Sequence, residues 1–253
     1  MDNSVIASSF IILSIICLIF IFRGVKIALA RTALSENQQK NRMILFVGVI
    51  VSWMTFISIA SFRGFFRDFN ELPPKFLIIL VVPLVIFIVT ITVFSKPVNH
   101  LLHQISYGWL TIIQSFRIVV EILLWGLFVN GTIPIQLTFE GTNFDILVGL
   151  TAPVVYFMIK KNEGSGKTLL YIWNIAGLLI LMNIVITAVL STPTPFRVFH
   201  NEPANTIVTE FPYSWLPGIL VPIAYTMHIL SLKKLISERS ADRVAQDNFV
   251  TSE

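Results

Sequence analysis

Cysteine is nearly absent. Cys17 is the only one, so the chain has neither an intrachain disulfide nor a multi-cysteine metal site. The residue before it, Ile16, is too large for a lipoprotein cleavage motif, which leaves a buried, inert thiol as the expected role. Charge is scarce as well: Asp, Glu, Lys and Arg make up 13% of the 253 residues, 55% are hydrophobic, and mean hydropathy is +0.80. A soluble domain carries about twice that share of charge, so an ordinary water-facing surface is excluded and the solvent of this chain is lipid. Also missing is a basic segment ahead of the first apolar run. Met1-Asp2-Asn3 carries no positive charge and Arg23, Lys26 and Arg31 follow the run, which weighs against a cleaved signal peptide despite the small-x-small spacing of Ala28-Leu29-Ala30. No Gly/Ser linker or long polar run divides the sequence, so one helical domain is expected over residues 1–239, with a short polar cytoplasmic tail over 240–253.

What the chain has in quantity is long apolar runs. A hydrocarbon core of roughly 30 Å needs about 20 apolar residues per helix. Seven such stretches run over residues 4–22, 43–62, 76–94, 107–129, 146–159, 168–190 and 216–235, the fifth being short. The fold class expected is all-α, a polytopic membrane protein built as a bundle of seven transmembrane helices. The net charge of +4 does not point to nucleic acid, because the basic residues are partitioned by loop. Arg23, Lys26, Arg31, Lys40, Arg42, Lys96, Lys160, Lys161, Lys167, Lys233, Lys234, Arg239 and Arg243 fall on one side; Arg63, Arg67, Lys75 and Arg197 fall on the other. The N-terminus is therefore expected outside and the C-terminus inside. An internal repeat of three plus one plus three helices finds only Pro83 and Pro222 in loosely corresponding places.

Arg117 and Glu121 stand out because the residues around them are almost all apolar. An ionisable side chain near the bilayer centre costs a few kcal/mol even on the lenient insertion scale, so it usually faces protein or water and often marks function. At about 100° per residue, Gln114, Arg117, Glu121 and Trp125 share one face of the fourth span, and His100, His103, Tyr107 and Thr111 join it if the helix begins early. Ile112, Phe116, Val119 and Leu123 lie opposite. Arg117 and Glu121 are four apart, a spacing that pairs them along the helix. This seam serves either as interior glue or as the binding surface for a polar or anionic ligand. The N-out orientation aims Glu121 toward the side that bears Glu140, Asn143, Asp145, His200 and Glu202, and these residues with Gln114 and Arg117 are the expected ligand-binding set.

The two long outer loops carry most of the remaining chemistry. In residues 130–145, Asn143 or Asp145 is a natural N-cap for the fifth span and Gly141 supplies a turn. Residues 191–215 hold four prolines and five aromatic residues, a composition suited to a cap or re-entrant segment packed on the bundle. His200 and Glu202 with Glu140 or Glu210 could hold a metal, but no fixed ligand spacing supports that, and neither metal nor cofactor is expected. Gly164-Ser165-Gly166-Lys167-Thr168 resembles the end of a phosphate-binding loop, yet the earlier glycine that such a loop requires falls on Lys161. No mid-depth lysine on the last span suits retinal. His103 with His228 as haem ligands is weaker than two hydrogen-bonded interior histidines, and Asn174 and Asn183 on the sixth span are read as interhelical hydrogen bonds.

Gln114-Ser115-Phe116-Arg117 with Glu121 and Leu124-Trp125, then Phe139-Glu140-Gly141 with Asn143-Phe144-Asp145-Ile146, then Asn201-Glu202-Pro203-Ala204-Asn205 and Trp215-Leu216-Pro217-Gly218, resemble a group of small bacterial inner-membrane proteins of uncharacterised function. The resemblance covers residues 114–235 and implies multi-span placement in a bacterial cytoplasmic membrane, without an activity or substrate. Three function classes remain. The first is an outward-facing polar pocket that binds or passes a small polar or anionic molecule. The second is an intramembrane enzyme using Glu121, Glu140 or His200 as acid and base, and the third is a structural or assembly subunit.

Overall fold

The computed structural model of the chain describes residues 2–161 and 163–250, which form helices and no strand. Two long helices come first, α1 (Asn3–Ala30) and α2 (Glu36–Phe62). Asp2 caps α1 by accepting the Ser4 N–H at 3.2 Å, and Ser35 caps α2 in a reciprocal arrangement with Gln38. Such caps satisfy backbone donors that a helix start leaves open. α3 (Leu77–Val93) and α4 (Ser95–His103) meet at a sharp bend, and α5 (Tyr107–Ile112) runs through a 3-10 turn at Ile113–Ser115 into α6 (Phe116–Val129). α7 (Asp145–Lys161), α8 (Glu163–Leu190) and α9 (Val221–Val250) complete the bundle, α9 being preceded by a π-helical turn at Leu216–Leu220.

Among the described residues, five helical stretches are long and apolar enough to cross a membrane: Asn3–Ala30, Glu36–Phe62, Tyr107–Val129, Gly166–Leu190 and Leu216–Ser240. The bent pair Leu77–Ile91 and Lys96–His103, at 91° to each other, makes a sixth if counted as one. The expected count of seven therefore stands at five or six by length and composition. The stretch that falls short is α7, whose 17 residues reach only about 25 Å. The region read as a tail from residue 240 continues α9 as helix to Val250, and residues 251–253 lie outside the described residues.

Much of the outer helix surface is apolar. On α1 the buried side chains Ile6, Phe10, Leu13, Cys17 and Ile21 form one helical stripe, while Ile12, Ile16 and Ile19 are exposed on the other faces. An apolar outer face of this kind suits a hydrocarbon surround. α1 packs against α6, α6 against α7, and α8 against both α7 and α9. The loop 191–215 lies on the bundle: Phe211 meets Phe62 with ring centroids 4.6 Å apart, Tyr213 meets Phe10 edge-on at 5.5 Å, and Trp215 Nε1 donates to Ser58 Oγ at 2.9 Å.

The fourth span differs from its reading in two ways. His100 and His103 belong to α4, which ends before Ser106 caps α5 by accepting the Trp109 N–H, so they do not extend the seam of Arg117. Phe116 and Leu123, read as lying opposite the polar face, are core residues, whereas Val119, Ile122, Trp125 and Val129 are exposed. α6 is enclosed by protein over more than its polar stripe.

Candidate functional site

Arg117 is the largest fully buried side chain in the described residues. Its Nε donates to Asp145 Oδ2 at 2.6 Å and its NH2 group donates to Asp145 Oδ1, a bidentate pair between α6 and the first residue of α7. The expected Arg117–Glu121 pair is not the one formed. Two features make Asp145 the better partner. Its place at the start of α7 sets a carboxylate beside open helix N–H groups, and α7 comes very close to α6. Gly149 permits that approach, since a Cβ there would stand 2.8 Å from the backbone N of Ile118.

The third nitrogen of the guanidinium, NH1, lies 3.0 Å from His228 Nε2 on α9. A guanidinium only donates. His228 Nε2 must therefore accept, and its Nδ1 carries the proton and donates to Asn174 Oδ1 at 2.9 Å. Asn174 Nδ2 then donates to Ser231 Oγ at 2.9 Å and to Leu170 O at 2.7 Å. The result is a directed chain of hydrogen bonds from α6 through α9 to α8 and back to α9. Both ring nitrogens of His228 are committed to it, which removes the haem reading with His103. Gly177 on α8 makes room for the ring, because a Cβ there would sit 2.6 Å from His228 Nε2.

Glu121 has a separate partner. Asn143 Nδ2 donates to both carboxylate oxygens, at 2.7 and 2.8 Å, and to Leu137 O at 3.1 Å. Asn143 Oδ1 meanwhile accepts the Asp145 N–H at 3.0 Å, so the residue expected as a helix cap also holds the neighbouring carboxyl group. Gln114 lies one helical turn before Arg117: its Nε2 donates to Ala224 O at 3.1 Å, and its Oε1 is buried with no partner among the described residues. One buried guanidinium thus lies near two buried carboxyl groups.

Of the eight expected residues the structure brings five together, Gln114, Arg117, Glu121, Asn143 and Asp145. The other three are elsewhere. Glu140 is exposed and accepts from Trp125 Nε1 at 2.7 Å on the outer surface of α6. Glu202 pairs with Arg197 at 3.0 Å and accepts the Ala204 N–H at 2.8 Å, which shapes the loop itself. His200 is exposed in the same loop. Proximity in sequence made these three look convergent, while the hydrogen bonds of Trp125 and Arg197 turn Glu140 and Glu202 to other surfaces.

Beside the node lies a partly open cavity of about 100 Å³. Its walls are apolar, from Phe10, Leu124, Leu127, Leu181, Val185 and Leu216 among others, and Glu121 and Asp145 form part of its lining. Asn205 also lines it. That side chain is 1% exposed, donates from Nδ2 to Ala188 O at 3.0 Å, and has an Oδ1 with no partner among the described residues. Asn174, Asn205 and His228 were not among the expected site residues. Asn174 and His228 each sit among apolar residues of their own helix and Asn205 sits in a loop, and their bonds to each other and to Ala188 O form only on packing.

A family model described as a domain of unknown function (DUF8737) matches residues 73–236. No curated protein and no solved structure matches the chain. The matched segment holds the whole charged node and, apart from Phe10, every residue that lines the cavity.

Proposed function

The chain belongs to this family, and we propose that it is a multi-pass membrane protein, N-terminus out and C-terminus in, that binds or passes a small molecule in the cavity beside Glu121. The observation that carries the reading is an apolar cavity with ionisable groups in its wall, the mix of greasy surface and few polar groups typical of ligand sites. A volume of about 100 Å³ is of the same order as the roughly 150 Å³ engineered cavity that takes benzene. It suits a small body or one segment of a longer molecule. Arg117 offers little to a free anion, because Asp145 already matches its charge and geometry. The expectation of a polar or anionic ligand therefore gives way to one with an apolar body. For acid-base catalysis, Glu121 is the sole member of its expected trio at the cavity, so binding is the better supported class.

Seven crossings agree with this reading if α3 with α4 counts as one and the short α7 as another. The charge partition supplies the orientation, and it sets the cavity, which lies against the N-terminal part of α1, in the outer half of the bundle. The resemblance to bacterial inner-membrane proteins supplies the compartment. The test compares wild type with Ala188→Phe, which fills the cavity, after purification in lipid nanodiscs. Mass spectrometry should find a small molecule retained by wild type and lost from a folded Ala188→Phe protein. Identical sets of retained molecules would count against the cavity as the site.

A further inference from the structure

We propose that the cavity takes up the hydrocarbon chain of a membrane lipid, which enters sideways through a gap between α3 and α8. The proposal rests on the preceding reading of the cavity as a binding site and adds the ligand class and the route of entry. Burial divides the wall into two parts. Phe10 on α1 and Val120, Leu124 and Leu127 on α6 are buried, as are Glu121 and Asp145. The lining residues that keep accessible surface lie on other elements, among them Leu80 on α3, Val185 and Ala188 on α8, and Leu216, Pro217 and Val221 around the start of α9. The closed end of the cavity is therefore at α6 and its open side at α3 and α8. Both of these helices pack on α9, and no comparable packing joins one to the other among the described residues.

The open side is greasy. Apart from Tyr213, no half-buried residue of the lining has a polar side chain. Beyond this rim Val81 on α3 and Met182 and Ile186 on α8 are exposed, so the apolar surface continues outward without a break. Such a rim offers nothing to a hydrated molecule, and in the proposed membrane placement it adjoins the hydrocarbon. Inside, the polar side chains are turned to the protein: Asp145 to Arg117, Glu121 to Asn143, Asn205 Nδ2 to Ala188 O and Thr192 Oγ1 to Val189 O. The wall presents almost no polar surface. A head group drawn into it would give up its water without gaining a partner. An alkyl chain gives up no hydrogen bond on leaving the bilayer, and it supplies the close contacts that the lining of an empty apolar cavity lacks. A volume of about 100 Å³ admits a stretch of chain and leaves the head group outside.

The experiment places the full chain in nanodiscs containing a phosphatidylcholine with a diazirine at the end of one acyl chain, and maps the photo-adducts by mass spectrometry. Adducts are expected on Leu124 and Leu127, which are buried, besides those on exposed residues such as Met182 and Ile186 that any lipid-facing helix collects. Ala188→Phe, which fills the cavity, and Leu80→Trp, which narrows the gap from α3, are each checked for a cooperative thermal transition. Both should lose the adducts on α6 and keep the outer ones. Adducts confined to exposed residues in wild type, or adducts on α6 that persist in a folded variant, overturn the proposal. A free fatty acid bearing the same diazirine separates the sources: adducts on α6 from the fatty acid and none from the phospholipid would exclude the lipid chain. Benzene, titrated in parallel, separates this inference from the reading beneath it. If lipid adducts stay outside while benzene raises the melting temperature of wild type more than that of Ala188→Phe, the lipid chain fails and the cavity reading stands; if benzene makes no such difference either, both fail together.

Discussion

Arg117 shows how one buried charge is made tolerable. Removing either member of a buried ion pair leaves the other uncompensated and costs about 3–5 kcal/mol, while replacing both with apolar or neutral residues is often close to neutral. Arg117→Met and Asp145→Asn should each lower unfolding free energy by that order, and the double variant by clearly less. Arg117 touches Asp145 through two hydrogen bonds and Glu121 through none that the structure describes, so the coupling energy in a double-mutant cycle should be larger for Arg117 with Asp145 than for Arg117 with Glu121. Denaturant titration in micelles measures both cycles. A larger coupling to Glu121 would mean that the pair along the helix forms in solution after all. His228 allows a second prediction at this scale. His228→Leu strips a partner from Arg117 NH1 and from Asn174 Oδ1 together, and each buried polar group left open costs about 1–3 kcal/mol. His228→Gln, able to accept from one neighbour and donate to the other, should recover part of that loss; equal losses for the two variants would show that the ring acts by volume alone.

At the scale of the helix, two glycines differ in what surrounds them. A Cβ at Gly177 would meet the His228 ring within 2.6 Å, whereas a Cβ at Gly48 on α2 meets nothing within 4 Å. Gly177→Ala should therefore cost about 1–3 kcal/mol by overpacking and by displacing His228 from Arg117. Gly48→Ala should be neutral or stabilise the helix by a few tenths of a kcal/mol up to about 1 kcal/mol. Thermal melts of the two variants against wild type compare them directly, and equal losses would remove the argument that α8 is cut away to fit the ring. The same scale shows what was legible in the sequence. The helices were, because an apolar run of membrane length is a local property, and so was Arg117, since a charge in such a run is conspicuous. Its partner was not. Spacing along one helix favours Glu121, and nothing local ranks it below Asp145, which is 28 residues away. Asn143 was read, with Asp145 as the alternative, as a cap for α7; its Oδ1 accepts the Asp145 N–H, while its bonds to Glu121 depend on where α7 packs. His228 and Asn174 looked like separate polar residues on separate helices, and their direct hydrogen bond, which extends the chain from Arg117, is a product of tertiary contact. The cavity was read as polar because the polar residues were counted, while its walls come from apolar side chains on α1, α6 and α8 that no pattern distinguishes from ordinary core.

For the whole molecule, the proposed orientation rests on the distribution of basic residues. Thirteen Lys and Arg residues fall in the loops and helix ends on one side and four on the other, with Arg117 between them. The excess marks the cytoplasmic face in multi-pass proteins. In the proposed orientation the loop 191–215, with its aromatic contacts to α1 and α2, lies on the opposite face, and with it the cavity lined by Asn205 and Ile207. Cys17 makes the orientation straightforward to test, because it is the only cysteine and is buried. In a Cys17→Ser background, single cysteines at Asn201 in the long loop and at Ser240 near the end of α9 should label oppositely in intact cells. A membrane-impermeant maleimide should modify the Asn201 position without lysis and the Ser240 position only after it. The reverse pattern would invert the molecule, turn the cavity to the cytoplasmic half, and require its ligand to come from inside the cell. Labelling of both positions without lysis would give an even number of crossings between them, in conflict with the proposed single passage of α9 from one face to the other.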